Sequence, residues 1–251
     1  MLSSNRIVTS SSDFSMKILN LTTGFCLKTF SSPVSDGFVR QIEAWNNELV
    51  TCSQSYIIKW NIEENKNEKI IREGSLCIKV IENNQLLSCD DRSIKVWDLV
   101  SGECLKLILV NHQIDCFQVL LDGTIVSPDR VISSGKTVKT LKRWHLASKD
   151  PLQTLPDTHG LGIHCMNALE NNRMATGSFD KKIKIWDLNA EKCVLTLEGH
   201  SSFVNSLVMI SNEIIASCSS DKTIRLWNLI DGTCIKTIEG HTESIGCIQA
   251  I

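Results

Sequence analysis

The sequence predicts an all-β fold: six four-stranded sheets set as blades in a closed ring, a β-propeller. Three observations predict it. One unit recurs along the 251 residues at spacings of 37 to 47. Each unit reads as four short runs of β-branched and apolar residues, bounded by Asn, Asp, Gly and Ser. The last run of the chain supplies the strand that the first unit lacks.

The recurrence is plainest near the C-terminus. SSDKTIRLWNLIDGTCIKTIEGH, ending at His241, matches SFDKKIKIWDLNAEKCVLTLEGH, ending at His200, at a distance of 41 residues. DRSIKVWDLVSGECLKLI, Asp91 to Ile108, is a third copy. SDFSMKILNLTTGFCLKTF, Ser12 to Phe30, is a fourth, with Leu19 in the tryptophan position. Two degenerate copies carry Trp60 and Trp144. The anchors are therefore Leu19, Trp60, Trp97, Trp144, Trp186 and Trp227. In the last full unit, Phe203 to Ile210 reads as strand a and Glu213 to Ser219 as strand b. Thr223 to Leu229 reads as strand c and Cys234 to Ile238 as strand d. A lone sheet of this kind cannot bury both faces, whereas sheets stacked around an axis can.

The ends are complementary. NRIVTSSSD aligns with strand b, SMKILNL with c and CLKTF with d, while SIGCIQAI at the end aligns with strand a alone. Met1 to Ser4 is left to make the turn between them. Pairing the two ends gives six blades over residues 1–251, read as one domain, and removes an open sheet edge. The competing reading is a piece of a longer propeller.

The eleven cysteines show no CxxC spacing, which argues against a zinc ribbon. They follow the repeat instead. Cys26, Cys104, Cys193 and Cys234 fall on strand d, Cys52, Cys89 and Cys218 on strand b, and Cys77, Cys116, Cys165 and Cys247 on strand a. They are expected to be small apolar fillers of the core, as reduced thiols. The net charge of −2 offers no field for nucleic acid or an acidic membrane. The N-terminus lacks the basic start and apolar run of a secretory signal. No apolar run reaches membrane-spanning length. A soluble protein of the cytoplasm or nucleus is expected.

On these residues the chain resembles the WD-repeat family of β-propellers. The resemblance implies a hydrogen-bonded set in each repeat: a histidine before strand a, a Ser or Thr on strand b, an Asp in the b–c turn and the strand-c Trp. His200, Ser217, Asp221 and Trp227 match it. So do His159, Thr176, Asp180 and Trp186, with Thr158 in place of the usual Gly. His241 reaches Thr9 and Asp13 at the other end of the chain, where Leu19 ends the set. Physical chemistry agrees: a buried carboxylate needs a partner, and imidazole, hydroxyl and indole N–H extend one. A Ser–His–Asp catalytic reading fails because an active site occurs once and this set recurs.

No enzyme is expected. No metal or cofactor site is expected either; in the nearest cluster, His159, His164 and Cys165, the repeat claims His159, and Cys165 is a strand-a core position. The resemblance places the b–c and d–a connections on one face, a docking surface for proteins or peptides. Residues preceding the b–c turn Asp point there: Ser12, Asp90, Phe179 and Ser220. The d–a turns add Ser201, Phe203 and Glu243. Phe179 and Phe203 are candidate anchors, since aromatics dominate interface hot spots; Phe203 also reads as a core residue of strand a. Lys17, Lys95, Lys142, Lys184 and Arg225 recur two residues before the anchors and are expected to cover apolar surface with their stems.

One stretch departs from the repeat. RVISSGKTVKTLKRW contains Ser-Gly-Lys-Thr but lacks the Gly and the following helix of a phosphate loop. It reads as a b–c hairpin lengthened by six residues, with the hairpins before Trp60 and Trp97 about two residues short. Arg130, Lys136 and Lys139 in it are candidates for touching an acidic partner. The expectation is a non-catalytic scaffold or adaptor binding other proteins or peptides, with no nucleic acid, membrane or small-molecule substrate. The alternative is a regulatory or substrate-recognition propeller of a larger protein.

Overall fold

The protein is described by a computed structural model. It describes residues 6–13, 15–31, 39–46, 48–53, 55–64, 66–73, 75–81, 84–90, 93–109, 114, 116–120, 122–133, 136–145, 151–156 and 159–251, the side chains of 31, 68–70 and 130–139 excepted. Met1 to Ser4, Thr158 and the side chains of Arg130, Lys136 and Lys139 therefore lie outside the described residues.

Six four-stranded antiparallel sheets form a β-propeller, with no helix among the described residues. The first blade joins both ends of the chain: β24 (Ile245–Ala250) pairs with β1 (Arg6–Ser11), followed by β2 (Ser15–Asn20) and β3 (Cys26–Ser31). The second blade is β4 (Gln41–Trp45), β5 (Glu48–Cys52), β6 (Ile57–Asn61) and β7 (Lys66–Ile71). The third is β8 (Cys77–Ile81), β9 (Gln85–Cys89), β10 (Ser93–Asp98) and β11 (Cys104–Leu109). The fourth is β12 (Gln118–Val119), β13 (Ile125–Ser133), β14 (Lys136–Trp144) and β15 (Gln153–Pro156). The fifth is β16 (Ile163–Leu169), β17 (Arg173–Ser178), β18 (Ile183–Asp187) and β19 (Lys192–Leu197). The sixth is β20 (Val204–Ser211), β21 (Ile214–Ser219), β22 (Ile224–Asn228) and β23 (Cys234–Ile238).

Burial peaks at strand b and falls towards the outer strand. In β17 and β21 every residue after the first is buried, because neighbouring blades cover both faces. The outer strand β19 alternates instead, and β11 is almost wholly exposed. Turn residues fit their backbone. Asn46, Asn84 and Asn172 take φ of 54°, 57° and 54° between strands a and b, where Asn tolerates the left-handed region. Gly177 has another reason: a Cβ there would stand 2.5 Å from Cys165 Sγ and 2.7 Å from Val204 Cγ1.

The cysteines divide by strand. Those on strands a and b are buried, as the repeat predicts, and they stitch blades together. Cys77 Sγ lies 3.8 Å from Phe117 O, Cys165 Sγ 3.6 Å from Val204 O and Cys218 Sγ 3.7 Å from Ile245 O, each in the next blade. Cys247 Sγ accepts the Ile42 N–H at 3.0 Å. Gln41 and Ser206 stand at the same strand-a level and also bond to the following blade, at Ile78 N and Ile248 O. Burial pushes the Cys247 thiol up to about 12, so that thiol stays protonated and unreactive.

The strand-d cysteines are not core fillers: Cys26, Cys104 and Cys234 are exposed and Cys193 is partly so. A β-bulge just before each anchor re-aims them. Each Sγ then turns to the carbonyl two residues on, at 3.4 to 3.6 Å.

The long hairpin is confirmed and resized. Nineteen residues separate the paired Ile125 and Trp144, against twelve between Ile215 and Trp227. The excess is seven rather than six, because Ile215 and not Ile214 faces the indole. The hairpins ending at Trp60 and Trp97, with partners Leu49 and Leu86, are one residue short rather than two.

Candidate functional site

Three relays of side chains tie the turns on one face of the ring. In the sixth blade, Trp227 Nε1–H donates to Ser217 Oγ at 2.8 Å, and Ser217 Oγ lies 2.7 Å from His200 Nε2. His200 Nδ1 lies 2.7 Å from Asp221 Oδ2. That carboxylate also takes the N–H of Ser201 and Thr223 and the hydroxyl of Thr223. The proton order follows from the partners: indole to hydroxyl, hydroxyl to imidazole, imidazole to carboxylate. Burial pushes the His200 imidazole down, against the pull of Asp221, so it is neutral in this order. Burial alone would raise Asp221; hydrogen bonds from Thr223, His200 and Ser201 outweigh it and hold the carboxyl at about 2.

The fifth blade repeats the set. Trp186 Nε1–H donates to Thr176 Oγ1 at 2.8 Å, His159 Nε2 is 2.8 Å from that oxygen, and His159 Nδ1 is 2.9 Å from Asp180 Oδ2. The first blade joins the two ends of the chain: His241 Nε2 is 2.8 Å from Thr9 Oγ1 and Nδ1 is 3.5 Å from Asp13 Oδ2. Leu19 supplies no indole there. The hydroxyls of Ser217 and Thr176 sit on residues with 0% exposure, so no substrate reaches them.

Among the described residues, blades two to four show the indole bond alone. Trp60, Trp97 and Trp144 donate to Thr51, Ser88 and Ser127 at 2.8, 2.7 and 3.2 Å. In the third blade Lys95 bonds to Glu73 and lies 3.8 Å from Asp90. In the fourth, Lys142 pairs with the buried Asp129 at 2.5 Å. Lys17 donates to Gly240 O at 2.9 Å, and the Arg225 guanidinium sits 5.9 Å from the Trp227 ring. The recurring cations thus bridge local partners beside the anchors.

The b–c turns and d–a connections meet at one end of a central channel of about 530 Å³. Ser12, Phe179 and Ser220 line it. Phe179 is half-buried, stacked 4.8 Å from the His164 ring and edge-on to Phe203 at 5.0 Å. Phe203 precedes its strand, which starts at Val204, and is 43% exposed; it is not a strand-a core residue. Ser201 and Glu243 are exposed nearby. Asp90 is absent from the channel wall, held by the Ser93 N–H and hydroxyl at 2.8 and 2.7 Å.

Sequence reading passed over the polar wall of the channel. Arg40, Gln41, Glu43, Lys79, Gln118, Asn167 and Gln249 line it. Glu43 is buried beside Lys79, Oε2 to Nζ at 3.1 Å. Burial pushes its carboxyl up and Lys79 pulls it back. Strand pairing puts Glu43, Lys79, Asn167 and Gln249 at one level of strand a. Aligning the repeats on their strand-b residues would have shown that polar position. Among the described residues no three His, Cys, Asp or Glu side chains are placed to hold a metal. Nor, among the described residues, is any helix long and apolar enough to cross a membrane.

Comparison with known proteins agrees with the fold. Residues 73–98, 149–187 and 191–228 match the family model "WD domain, G-beta repeat". The chain is similar to coatomer subunit beta'-2 of Arabidopsis thaliana, 33% identical over 114 residues covering 44% of this chain and 12% of that protein. It is also similar to mitochondrial division protein 1 of Eremothecium gossypii, 26% identical over 210 residues, 78% of this chain and 25% of the other. Myosin heavy chain kinase C of Dictyostelium discoideum is 27% identical over 160 residues, 62% of this chain and 19% of the kinase. The match thus spans a quarter or less of each of these relatives. Three stretches that match the WD-repeat model thus lie within a six-bladed β-propeller.

Proposed function

We propose that this WD-repeat β-propeller is a non-catalytic interaction platform that takes a partner protein or peptide at the mouth of its channel. One observation carries the reading: the aromatic group of His164, Phe179 and Phe203 stands at that mouth, beside a cavity of about 530 Å³. A rigid aromatic cluster at the rim of a concave site is the usual anchor of a hot spot. Two further features support it. The relays fix the turns around the mouth, and their hydroxyls are sealed from solvent. The proposal includes a cytoplasmic or nuclear setting and proteins or peptides, rather than nucleic acid, lipid or a small-molecule substrate, as partners.

The test is affinity capture with Phe179→Ala/Phe203→Ala against the unaltered chain. The reading expects partners to be lost while the thermal midpoint moves little, since neither ring is fully buried. An unchanged set of partners would overturn it. A second reading, a regulatory or substrate-recognition propeller within a larger protein such as a ubiquitin-ligase subunit or a signalling enzyme, is favoured by the relatives' lengths. The matched stretch is 19% of the kinase and 12% of the coatomer subunit. A full-length transcript encoding a further domain distinguishes the two.

A further inference from the structure

We infer that the channel mouth binds an oxyanion, a carboxylate or phosphate borne on a peptide, with Arg40 as its anchor. The inference rests on the platform reading above and names the chemistry of its partner.

The position of Arg40 follows from strand pairing. Gln41, Cys165, Ser206 and Cys247 are equivalent: each faces the same strand-b position of its blade, held by Cys52, Gly177, Cys218 and Ser10. The residues just before them, Arg40, His164, Asn205 and Gly246, stand one step nearer the mouth, and all four line the channel. At this level Arg40 carries the one permanent charge among them. His164 brings the Phe179 stack with it. Asn205 is locked, its Nδ2 donating to Ile245 O at 2.7 Å and to Ser220 Oγ at 2.9 Å. Gly246 adds no side chain and leaves space.

Charge decides what fits. The described channel wall holds two cations, Arg40 and Lys79, and one acid, Glu43. Glu43 is already taken, by Lys79 at 3.1 Å and by Gln41 at 3.4 Å. Among the described residues no carboxylate lies within ion-pairing distance of the Arg40 guanidinium. A half-buried cation in a cavity gains most from an anion that it can hold bidentately, and carboxylate and phosphate match the guanidinium fork. A cationic guest drawn to the Phe179 ring would meet Arg40 with no free acid among the described wall residues to offset it. A bound peptide would therefore place its anionic group on Arg40 and lay an apolar or aromatic side chain against Phe179.

The test uses small probes that carry both features. Phenyl phosphate, phenylacetate and benzylamine are titrated into the intact chain, and the His164 ring and Arg40 Nε–H resonances are followed. Either anion should shift both resonances, the tighter of the two identifying phosphate or carboxylate as the source, and benzylamine should shift neither. Arg40→Gln should weaken the better anion about tenfold or more, the loss of a charge-assisted bond, and Arg40→Lys less. Arg143→Gln, which alters a cation paired with Asp122 outside the channel wall, should leave it unchanged. Anions that move neither resonance, an Arg40→Gln chain that binds them as before, or benzylamine binding more tightly would each overturn the inference. If Arg40→Gln fails to fold, the Arg40 and His164 shifts in the unaltered chain still decide. Partners lost in Phe179→Ala/Phe203→Ala but retained in Arg40→Gln would sink the oxyanion and leave the platform standing.

Discussion

Two halves of the ring solve the same problem differently. Blades five, six and one link each d–a connection to a b–c turn through His159, His200 and His241. Blades two to four, among the described residues, stop at the indole bond and rely on Lys95 with Glu73 or Lys142 with Asp129. Packing follows the difference. Trp186 and Trp227 are 1% exposed, whereas Trp97 and Trp144 are 7%. The innermost strand shortens to Gln118–Val119 in the fourth blade, against eight residues in the sixth. Yet all six sheets keep four paired strands. Backbone pairing and stacked apolar faces therefore make a blade, and the relay fixes the loops above it. The aromatic cluster at the mouth belongs to the relay half: Phe179 precedes Asp180, and Phe203 follows His200 by three residues.

The comparison is broken most severely by removing the strand that closes the ring. Deleting Glu243 to Ile251 removes β24, exposes the β1 edge and ends the His241 relay. The chain should lose its cooperative thermal transition; a truncated chain as stable as the intact one would show that the closure contributes nothing. Next, single hydroxyl deletions weigh the halves against each other. Ser217→Ala strands both the Trp227 indole and the His200 imidazole, at about 1–3 kcal/mol for each orphaned group. Thr51→Ala strands only the Trp60 indole, so denaturant unfolding should show roughly half the loss. Equal losses would mean that the histidine link carries no stability.

Acid should act on the relay half first. Burial lowers the imidazoles of His200 and, helped by Lys17, of His241, so the folded chain binds fewer protons there than the unfolded chain. Stability then rises with pH up to the ordinary histidine value and falls as pH drops below about 6.5. Asp221 is lowered from 3.8 to about 2, so its contribution is intact above about pH 4 and is lost as pH falls towards 2. Thermal midpoints measured from pH 8 to pH 3 should fall in these two stages, and His200→Gln should flatten the first. A profile that His200→Gln leaves unaltered would contradict the assignment. The smallest effect concerns thiols. A maleimide should label Cys26, Cys104 and Cys234 in the native chain and leave Cys52, Cys89 and Cys218 untouched, as read by peptide mass.

Much of this was legible because the repeat multiplies each signal. One Trp in an apolar run says little, but six anchors at near-constant spacing specify six blades, and matching ends specify the shared one. The relay partners could be aligned because His159 to Asp180 and His200 to Asp221 are both 21 residues apart. Three things were not legible. The bulge before each anchor turns the strand-d cysteines outward, and a bulge leaves no mark in an alternating pattern. Adjacent Ile214 and Ile215 look alike, which misplaced the hairpin by one residue. The channel wall was missed because strand a carries no motif of its own: Arg40 precedes its strand, and the level shared by Glu43, Lys79, Asn167 and Gln249 emerges only when the repeats are aligned on strand b.

The docking claim is tested most directly by amide hydrogen exchange of the chain alone and with the partner recovered by capture. The account predicts protection gathered at the mouth of the relay half: residues 161–164, 179–181, 201–205 and 243–246. Protection confined to the outer strands, such as β3, β11 and β23, would contradict it.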